Sequence, residues 1–218
     1  MNIFIDIETL PTENETQAEY VAANVKAPGN YKKPEAIERY IKDNRNEAIS
    51  KTALSGLFGQ VYMIGLAKND GPVKVIRGDN ELDVLTQFRA RLVEWGATDG
   101  IGSAKANYIG HNAKDFDLPF LAQRMMINRL PLFYHIESRL PVIDTMQMFA
   151  CGRFKQYYSL DALCLAFGID SPKGDLDGSK VHEYYLAGRH DEVAEYCAKD
   201  VEAMRAVYNA MTGVKVAA

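Results

Sequence analysis

The chain opens on a period-two pattern. In NIFIDI, residues 2–7, apolar and polar side chains alternate among β-branched and aromatic types, which predicts a strand. After Pro11 comes a long polar segment, roughly Glu13 to Ser50, containing Pro28-Gly29-Asn30 and Pro34. Within it, EAIERYIKDNRNEAI (Glu35–Ile49) spaces Ile37, Tyr40, Ile41 and Ile49 at near-helical intervals, so one or two helices are expected. Strand patterning returns as VYMIGLAK from Val61 and as VKVIRG after the Gly71-Pro72 turn. NELDVLTQFRARLVEW (Asn80–Trp95) predicts an amphipathic helix capped by Asp79 or Asn80, with Leu82, Leu85, Phe88 and Leu92 on one face.

A small-residue loop (Gly96–Ala106) leads into a further strand, NYIG. DLPFLAQRMMINRL then reads as a helix that tolerates Pro119 in its first turn. PVIDT supplies a short strand near Ile143, and the remainder is helical: SLDALCLAFG, SKVHEYYLAG and a long last helix near Asp191–Met211. Strands first and alternating helices later predict an α/β fold, a mixed central sheet flanked by helices. No repeat, low-complexity tract or clean linker interrupts it. The expectation is a single domain over residues 1–218 with a helical insertion at about 13–58.

Composition narrows the field without naming a function. The chain has 218 residues, 47% hydrophobic and 25% charged, which suits a globular core and excludes a disordered chain. It is too short for a complete replicative polymerase. No apolar run approaches a bilayer span, so no membrane partner is expected. MNIFIDIETL carries two carboxylates where a signal peptide needs an apolar stretch, and reads as the start of the fold itself. Cys151, Cys164 and Cys197 share no CxxC spacing, so they are expected to be small core residues in a reducing, cytoplasmic compartment. A net charge of −4 does not describe a protein that coats DNA nonspecifically, although bound metal or a local basic face would offset an acidic site.

Three groupings carry candidate chemistry. Asp6-Ile7-Glu8 ends the first strand, where positions i and i+2 share a face, so the two carboxylates converge while Ile7 packs on the other side. Alternating polarity on a surface strand would give the same letters. Tyr108-Ile-Gly-His-Asn112-Ala-Lys-Asp-Phe116-Asp117 joins a strand to a helix, a usual place for functional groups. There Asp117 doubles as an N-cap candidate, and Asp115 competes with it as the functional carboxylate. Tyr196-Cys-Ala-Lys-Asp200 spaces a phenol and a carboxylate one helical turn apart, a pairing common on any helix.

Together and in this order, the three resemble the motifs of the DEDD superfamily of 3′–5′ exonucleases: DxE, Nx(2–3)(F/Y)D and, in its tyrosine-bearing branch, Yx(3)D. The wider resemblance is to the proofreading exonuclease of family B DNA polymerases and its stand-alone relatives. FIDIETLP, GHNAKDFDLPFL, IDTMQMF, YSLDALCLAFGI, PKGDLDGSKV and YCAKDV carry it from Asn2 to about Met211. The resemblance implies a ribonuclease H-like fold and two divalent metal ions, Mg²⁺ or Mn²⁺, held by Asp6, Glu8, Asp117 and Asp200. Asp6 would touch both ions, Glu8 and Asp200 mainly the one holding the water, and Asp117 would act largely through water at the other. Phosphodiester hydrolysis needs such cations because charge builds on a centre already surrounded by anionic oxygens.

Tyr196, with a reference pKa of about 10, is expected to orient the attacking water as a neutral phenol. The resemblance also implies substrate contacts: Leu10 as a wedge between the last two bases, the Thr9 backbone near the terminal 3′-hydroxyl, and Asn112 and Phe116 at the terminal nucleotide. Each of these has a plain packing alternative. His111 adjoins the second motif without a catalytic role in the family pattern.

The expected activity is a metal-dependent 3′–5′ exonuclease on single-stranded DNA, with RNA as an alternative substrate. Replication or repair proteins are expected partners. A noncatalytic nucleic-acid or polymerase-binding module of the same fold is the rival reading, and four retained carboxylates count against it. Asn24–Lys51 holds seven Lys or Arg against four acids, with Tyr31 and Tyr40 interleaved, a composition able to follow a single strand or simply to be solvated. Lys173 and Lys180, beside the Gly174 and Gly178 turns, carry the same two readings.

Overall fold

The alternation in the first strand gives the molecule its two faces. A computed structural model describes residues 1–99, 105–134, 141–153, 156–172 and 174–213. Strand β1 (Asn2–Leu10) pairs antiparallel with β2 (Gln60–Lys68), which pairs antiparallel with β3 (Lys74–Ile76). On its other edge β1 pairs parallel with β4 (Asn107–Gly110), and β4 pairs parallel with β5 (Val142–Asp144). Among the described residues this makes one mixed sheet in the order β3-β2-β1-β4-β5.

Ile3, Ile5 and Ile7 point to one side and enter the main apolar cluster. They meet Val84, Leu85, Phe88 and Leu92 of helix α3 (Glu81–Glu94) and Leu118, Leu121 and Met125 of α4 (Asp117–Ile127). The even residues point to the other side. There Phe4 packs with Val201 and Met204 of helix α8 (His190–Thr212), and Leu10 with Val181 and Tyr184 of α7 (Val181–Leu186). Asp6 and Glu8 share that second side, between Phe4 and Leu10, because the strand period is two.

Helices α1 (Glu15–Ala23) and α2 (Pro34–Ser50) fill the segment between β1 and β2, followed by a short 3₁₀ turn over Lys51–Leu54. That turn is tied back to β1: the Thr9 hydroxyl donates to the Ala53 carbonyl at 2.7 Å, and the Thr12 N–H to the Thr52 hydroxyl at 2.8 Å. The end of the segment is clasped by a nearly buried ion pair. Arg124 of α4 forms two hydrogen bonds to Glu81, at 2.8 and 2.7 Å, and also donates to the Gly56 and Leu57 carbonyls. Glu81 in turn accepts the Val61 N–H at 2.8 Å.

Three sequence expectations change. Helix α3 is capped by the Asn80 side chain, but Leu82 is exposed and Val84 takes its place in the core. The helix predicted from Asp117 ends at Ile127, before Asn128. Cys164 and Cys197 are buried, whereas Cys151 is exposed in a turn with φ +51°, so it is not a core residue. Helices α5 (Thr145–Phe149) and α6 (Leu160–Phe167), with a second short 3₁₀ turn over Gly178–Lys180, complete the described secondary structure. None of the described helices is long and apolar enough to cross a membrane.

Candidate active site

The site opens where β1 and β4 part. Their ladder covers only Asn2–Phe4 on β1, so beyond Phe4 that edge of the strand has no strand partner among the described residues. The Ile7 N–H on this edge is taken instead by Asp117, whose Oδ1 accepts it at 3.1 Å. Asp117 is the first residue of α4 and only 4% exposed. It does not cap its helix; its carboxylate reaches across to β1. Asp115 points elsewhere, exposed and accepting from the Gln147 amide at 3.2 Å. The structure thus separates the two acids that the sequence left in competition.

The loop that delivers Asp117 is held by Asp144, at the end of β5. Asp144 Oδ1 accepts the N–H groups of Asn112, Met146 and Gln147, and Oδ2 accepts the N–H of Lys114. Asn112 has φ +64°, the left-handed region that asparagine tolerates better than most residues. Beneath the loop His111 bridges the Thr145 hydroxyl and the Tyr158 carbonyl at 2.9 and 2.7 Å. Burial lowers its pKa, which suits a neutral structural link.

Helix α8 supplies the remaining groups by lying close on the sheet. Gly65 of β2 faces Asp6 across the ladder. With no side chain at Gly65, Cys197 descends until its sulfur is 3.9 Å from Asp6 Oδ2. Ligand atoms of Asp6, Glu8 and Cys197 all lie within 4.8 Å of one another. Tyr196 and Asp200 flank Cys197, and the Asp200 carboxylate acts electrostatically on the phenol. A bulge completes the local shape: Glu8 faces Met63 while Thr9 faces Val61, leaving Tyr62 as the extra residue.

Electrostatically the cluster is uncompensated. Asp6 is pushed well above the usual carboxylate range, by burial first and then by Glu8, Asp117 and Asp200. Glu8, 5% exposed, is raised by burial and by Asp200 and Asp117. Asp117 rises to about 7 through burial, although hydrogen bonds from its own backbone and from Ile7 oppose the shift. Tyr196 moves up through burial and then the charges of Asp200, Glu8 and Asp6, so it stays a neutral phenol. Burial, and then the same acids, push the Cys197 thiol up as well. Among the described residues no Lys, Arg or His forms a salt bridge with Asp6, Glu8 or Asp117, and the Glu8 carboxylate accepts no hydrogen bond. Buried anions in this state call for a cation.

The structure therefore brings Asp6, Glu8, Asp117, Tyr196 and Asp200 together. The predicted substrate contacts fare differently. Thr9 is half-buried beside Glu8, with its hydroxyl engaged by Ala53. Leu10 is 4% exposed inside the cluster with Met63 and Tyr184, so its side chain is core rather than a presented wedge. Phe116 is half-buried against Phe120, with ring centroids 5.6 Å apart. Lys180 folds back on the Asp175 carbonyl at 2.6 Å, and Lys173 lies outside the described residues.

Sequence reasoning passed over Gly65, Asp144 and Cys197. Cys197 had a signal in its place inside the Tyr196–Asp200 motif, and Asp144 in its place before a helix start. Gly65 had none, because its role depends on which helix crosses it.

A central mixed sheet flanked by helices, with buried carboxylates gathered where two strands diverge, is a ribonuclease H-like α/β fold. Residues 86–215 match the family described as predicted 3′–5′ exonucleases related to the exonuclease domain of PolB, and the chain belongs to that family. The matched span includes Asp117, Tyr196 and Asp200 and begins after Asp6, Glu8 and the helical insertion. An uncharacterized protein of Methanocaldococcus jannaschii, MJ0365, is 24% identical over 163 residues, covering 71% of this chain and 86% of that protein. In fold, the chain is similar to a family B DNA polymerase from the hyperthermophilic archaeon Pyrobaculum calidifontis, with a TM-score of 0.61 and 17% identity. That alignment covers 95% of this chain but spans only 24% of the polymerase.

Proposed function

We propose that this protein is a metal-dependent 3′–5′ exonuclease of the tyrosine-bearing DEDD branch, releasing mononucleotides from single-stranded nucleic acid, with DNA the favoured substrate. The observation that carries the reading is the convergence of Asp6, Glu8, Asp117 and Asp200, three of them without a cationic partner among the described residues, around the neutral Tyr196 phenol.

The residues fit a pair of hard divalent cations. Carboxylate oxygens suit Mg²⁺ or Mn²⁺, and the unpartnered Glu8 is a buried anion for which a cation supplies the missing charge. Asp6, Glu8, Asp117 and Asp200 would hold them. Bound there, such ions supply Lewis acidity, easing deprotonation of water and stabilising the leaving 3′-oxygen.

The protein's own contribution is placement. Asp117 is fixed by the Ile7 N–H, and its loop by Asp144, so this side of the site is set before substrate arrives. Tyr196, surrounded by the charges of Asp200, Glu8 and Asp6, keeps its proton and can fix the orientation of a water without acting as its base. The strand requirement is geometric, because a terminal nucleotide must leave its stack to enter a recessed acidic site. DNA is favoured over RNA only by the family's relation to a DNA polymerase domain.

The test is direct. A single-stranded DNA and its RNA counterpart, each labelled at the 5′ end, are incubated with Mg²⁺, Mn²⁺ or chelator, with Asp6→Ala as the control for contaminating nuclease. A metal-dependent ladder receding from the 3′ end supports the enzyme and ranks its substrates. Intact strands that still bind the protein would favour the noncatalytic module.

A further inference from the structure

A groove of about 580 Å³ runs from Thr9, the residue after Glu8, between the 3₁₀ turn at Lys51–Leu54 and helix α7. Its volume is in the range of small-ligand pockets. One wall carries Leu54, 69% exposed, and the other Leu186, 70% exposed. Large apolar side chains left this open on both sides of one groove offer flat contact to a planar partner. Ser50, Ser179 and His182 add polar groups between them. The groove is shaped by the insertion, and the Thr9–Ala53 hydrogen bond fixes that wall to the catalytic strand.

Charge points to the nature of the occupant. The groove itself carries no surplus of positive charge, with Lys51 against Glu47 and Glu183, which suits bases and sugars better than phosphates. The cations lie further out on the insertion. Arg39 pairs with Asp43 and Lys51 with Glu47, but Lys26, Lys32, Lys33, Lys42 and Arg45 have no ion pair among the described residues. Residues 24–51 thus hold a surplus of three positive charges in a chain whose net charge is −4. A polyanion with planar side groups matches both features. Tyr31 and Tyr40, which the composition offered as stacking partners, instead pack edge-on against each other with centroids 5.0 Å apart. The exposed leucines take that role.

We propose that this groove receives the nucleotides just 5′ of the scissile phosphate, so that the insertion acts as the substrate-holding arm of the enzyme. The inference rests on the exonuclease reading above, and its test keeps the two separable. Wild type and the Leu54→Ala/Leu186→Ala double variant would be compared on two substrates. One is the p-nitrophenyl ester of thymidine 5′-monophosphate, which fills only the terminal position; the other is an oligothymidylate of about ten nucleotides. The variant should raise KM for the oligonucleotide about tenfold and leave cleavage of the single-nucleotide ester unchanged. An unchanged KM for the oligonucleotide would overturn the groove assignment while leaving the exonuclease intact.

If wild type cleaves neither substrate, the exonuclease reading fails, and fluorescence anisotropy of the labelled oligonucleotide in chelator still decides the groove. About tenfold weaker binding by the double variant upholds it, and equal binding overturns it. Sedimentation of both proteins is the last arm. A variant that loses self-association while binding the oligonucleotide normally would make the groove a contact between copies of this chain and overturn the proposal.

Discussion

Cys197 rests on Gly65: a Cβ built at Gly65 would lie 2.9 Å from the Cys197 sulfur, 2.8 Å from Val201 Cγ2 and 3.1 Å from the Cys197 carbonyl. This close approach of α8 to β2 puts Tyr196 and Asp200, on either side of Cys197, within electrostatic reach of Asp6 and Glu8. Gly65→Ala must push against backbone as well as side chains. It should cost about 1–3 kcal/mol of stability as an overpacked site. Lifting the helix should also weaken divalent-cation binding. Urea denaturation measures the first effect and Mn²⁺ calorimetry the second. Wild-type Mn²⁺ affinity in a destabilised Gly65→Ala protein would show that helix seating does not set the site.

The Arg124–Glu81 pair joins the insertion, β2, α3 and α4, and both side chains are about nine-tenths buried. Arg124→Ala leaves Glu81 buried without its counter-charge, a loss worth about 3–5 kcal/mol. Glu81→Gln/Arg124→Met removes both charges and should recover part of that stability. Thermal and urea unfolding of the single and double variants would check the order. Equal losses in both would mean that packing, rather than the uncompensated charge, dominates the clasp.

Much of the site could be read from local periodicity, and what was missed depended on neighbours distant in the chain. The strand period placed Asp6 and Glu8 together opposite Ile7, and the helical i,i+4 spacing placed Tyr196 with Asp200. Neither period could choose between Asp115 and Asp117, because the choice is made by the Ile7 N–H, 110 residues away in sequence. Asp144 reads as an ordinary helix cap, and its capping bonds to Met146 and Gln147 are real. Its additional bonds to Asn112 and Lys114 arise only because β5 lies beside β4. The wedge role of Leu10 came from the family resemblance alone, and packing against Val181 and Tyr184 of α7 buries its side chain.

Tyr196 is held in its neutral form by burial and by the surrounding acids. Tyr196→Phe keeps the ring in place and removes only the polar end. Loss of a positioned group that handles the attacking water typically costs about 10²–10⁴ in rate, so kcat should fall by that order. Mn²⁺ affinity should stay near wild type, because the carboxylates are untouched. A variant with wild-type kcat would remove Tyr196 from the mechanism, and one with lost Mn²⁺ affinity would make its role structural.

The crowding of carboxylates also dictates how stability responds to pH. Asp6 and Glu8 titrate well above their unfolded values, and Asp117 at about 7, against ordinary values of 3.8 for aspartate and 4.5 for glutamate. A raised acid pKa means that the folded state binds more protons than the unfolded state between the two values. Stability then falls as pH rises through that window. For Asp117 the contribution is fully present below about pH 3.8 and lost as pH passes about 7. In chelator, the melting temperature should therefore fall between about pH 5 and pH 8, the reverse of a protein whose acids are salt-bridged. Glu8→Gln removes one of the repelling charges, so the metal-free variant should melt higher than wild type at pH 8. Saturating Mg²⁺ or Mn²⁺ should stabilise wild type most at high pH, where the acids are free to bind it. Differential scanning fluorimetry of both proteins, with and without the cation, reads all three effects. A metal-free melting temperature that rises from pH 5 to pH 8 in wild type, with no gain from Glu8→Gln, would mean that the cluster is already compensated within the protein.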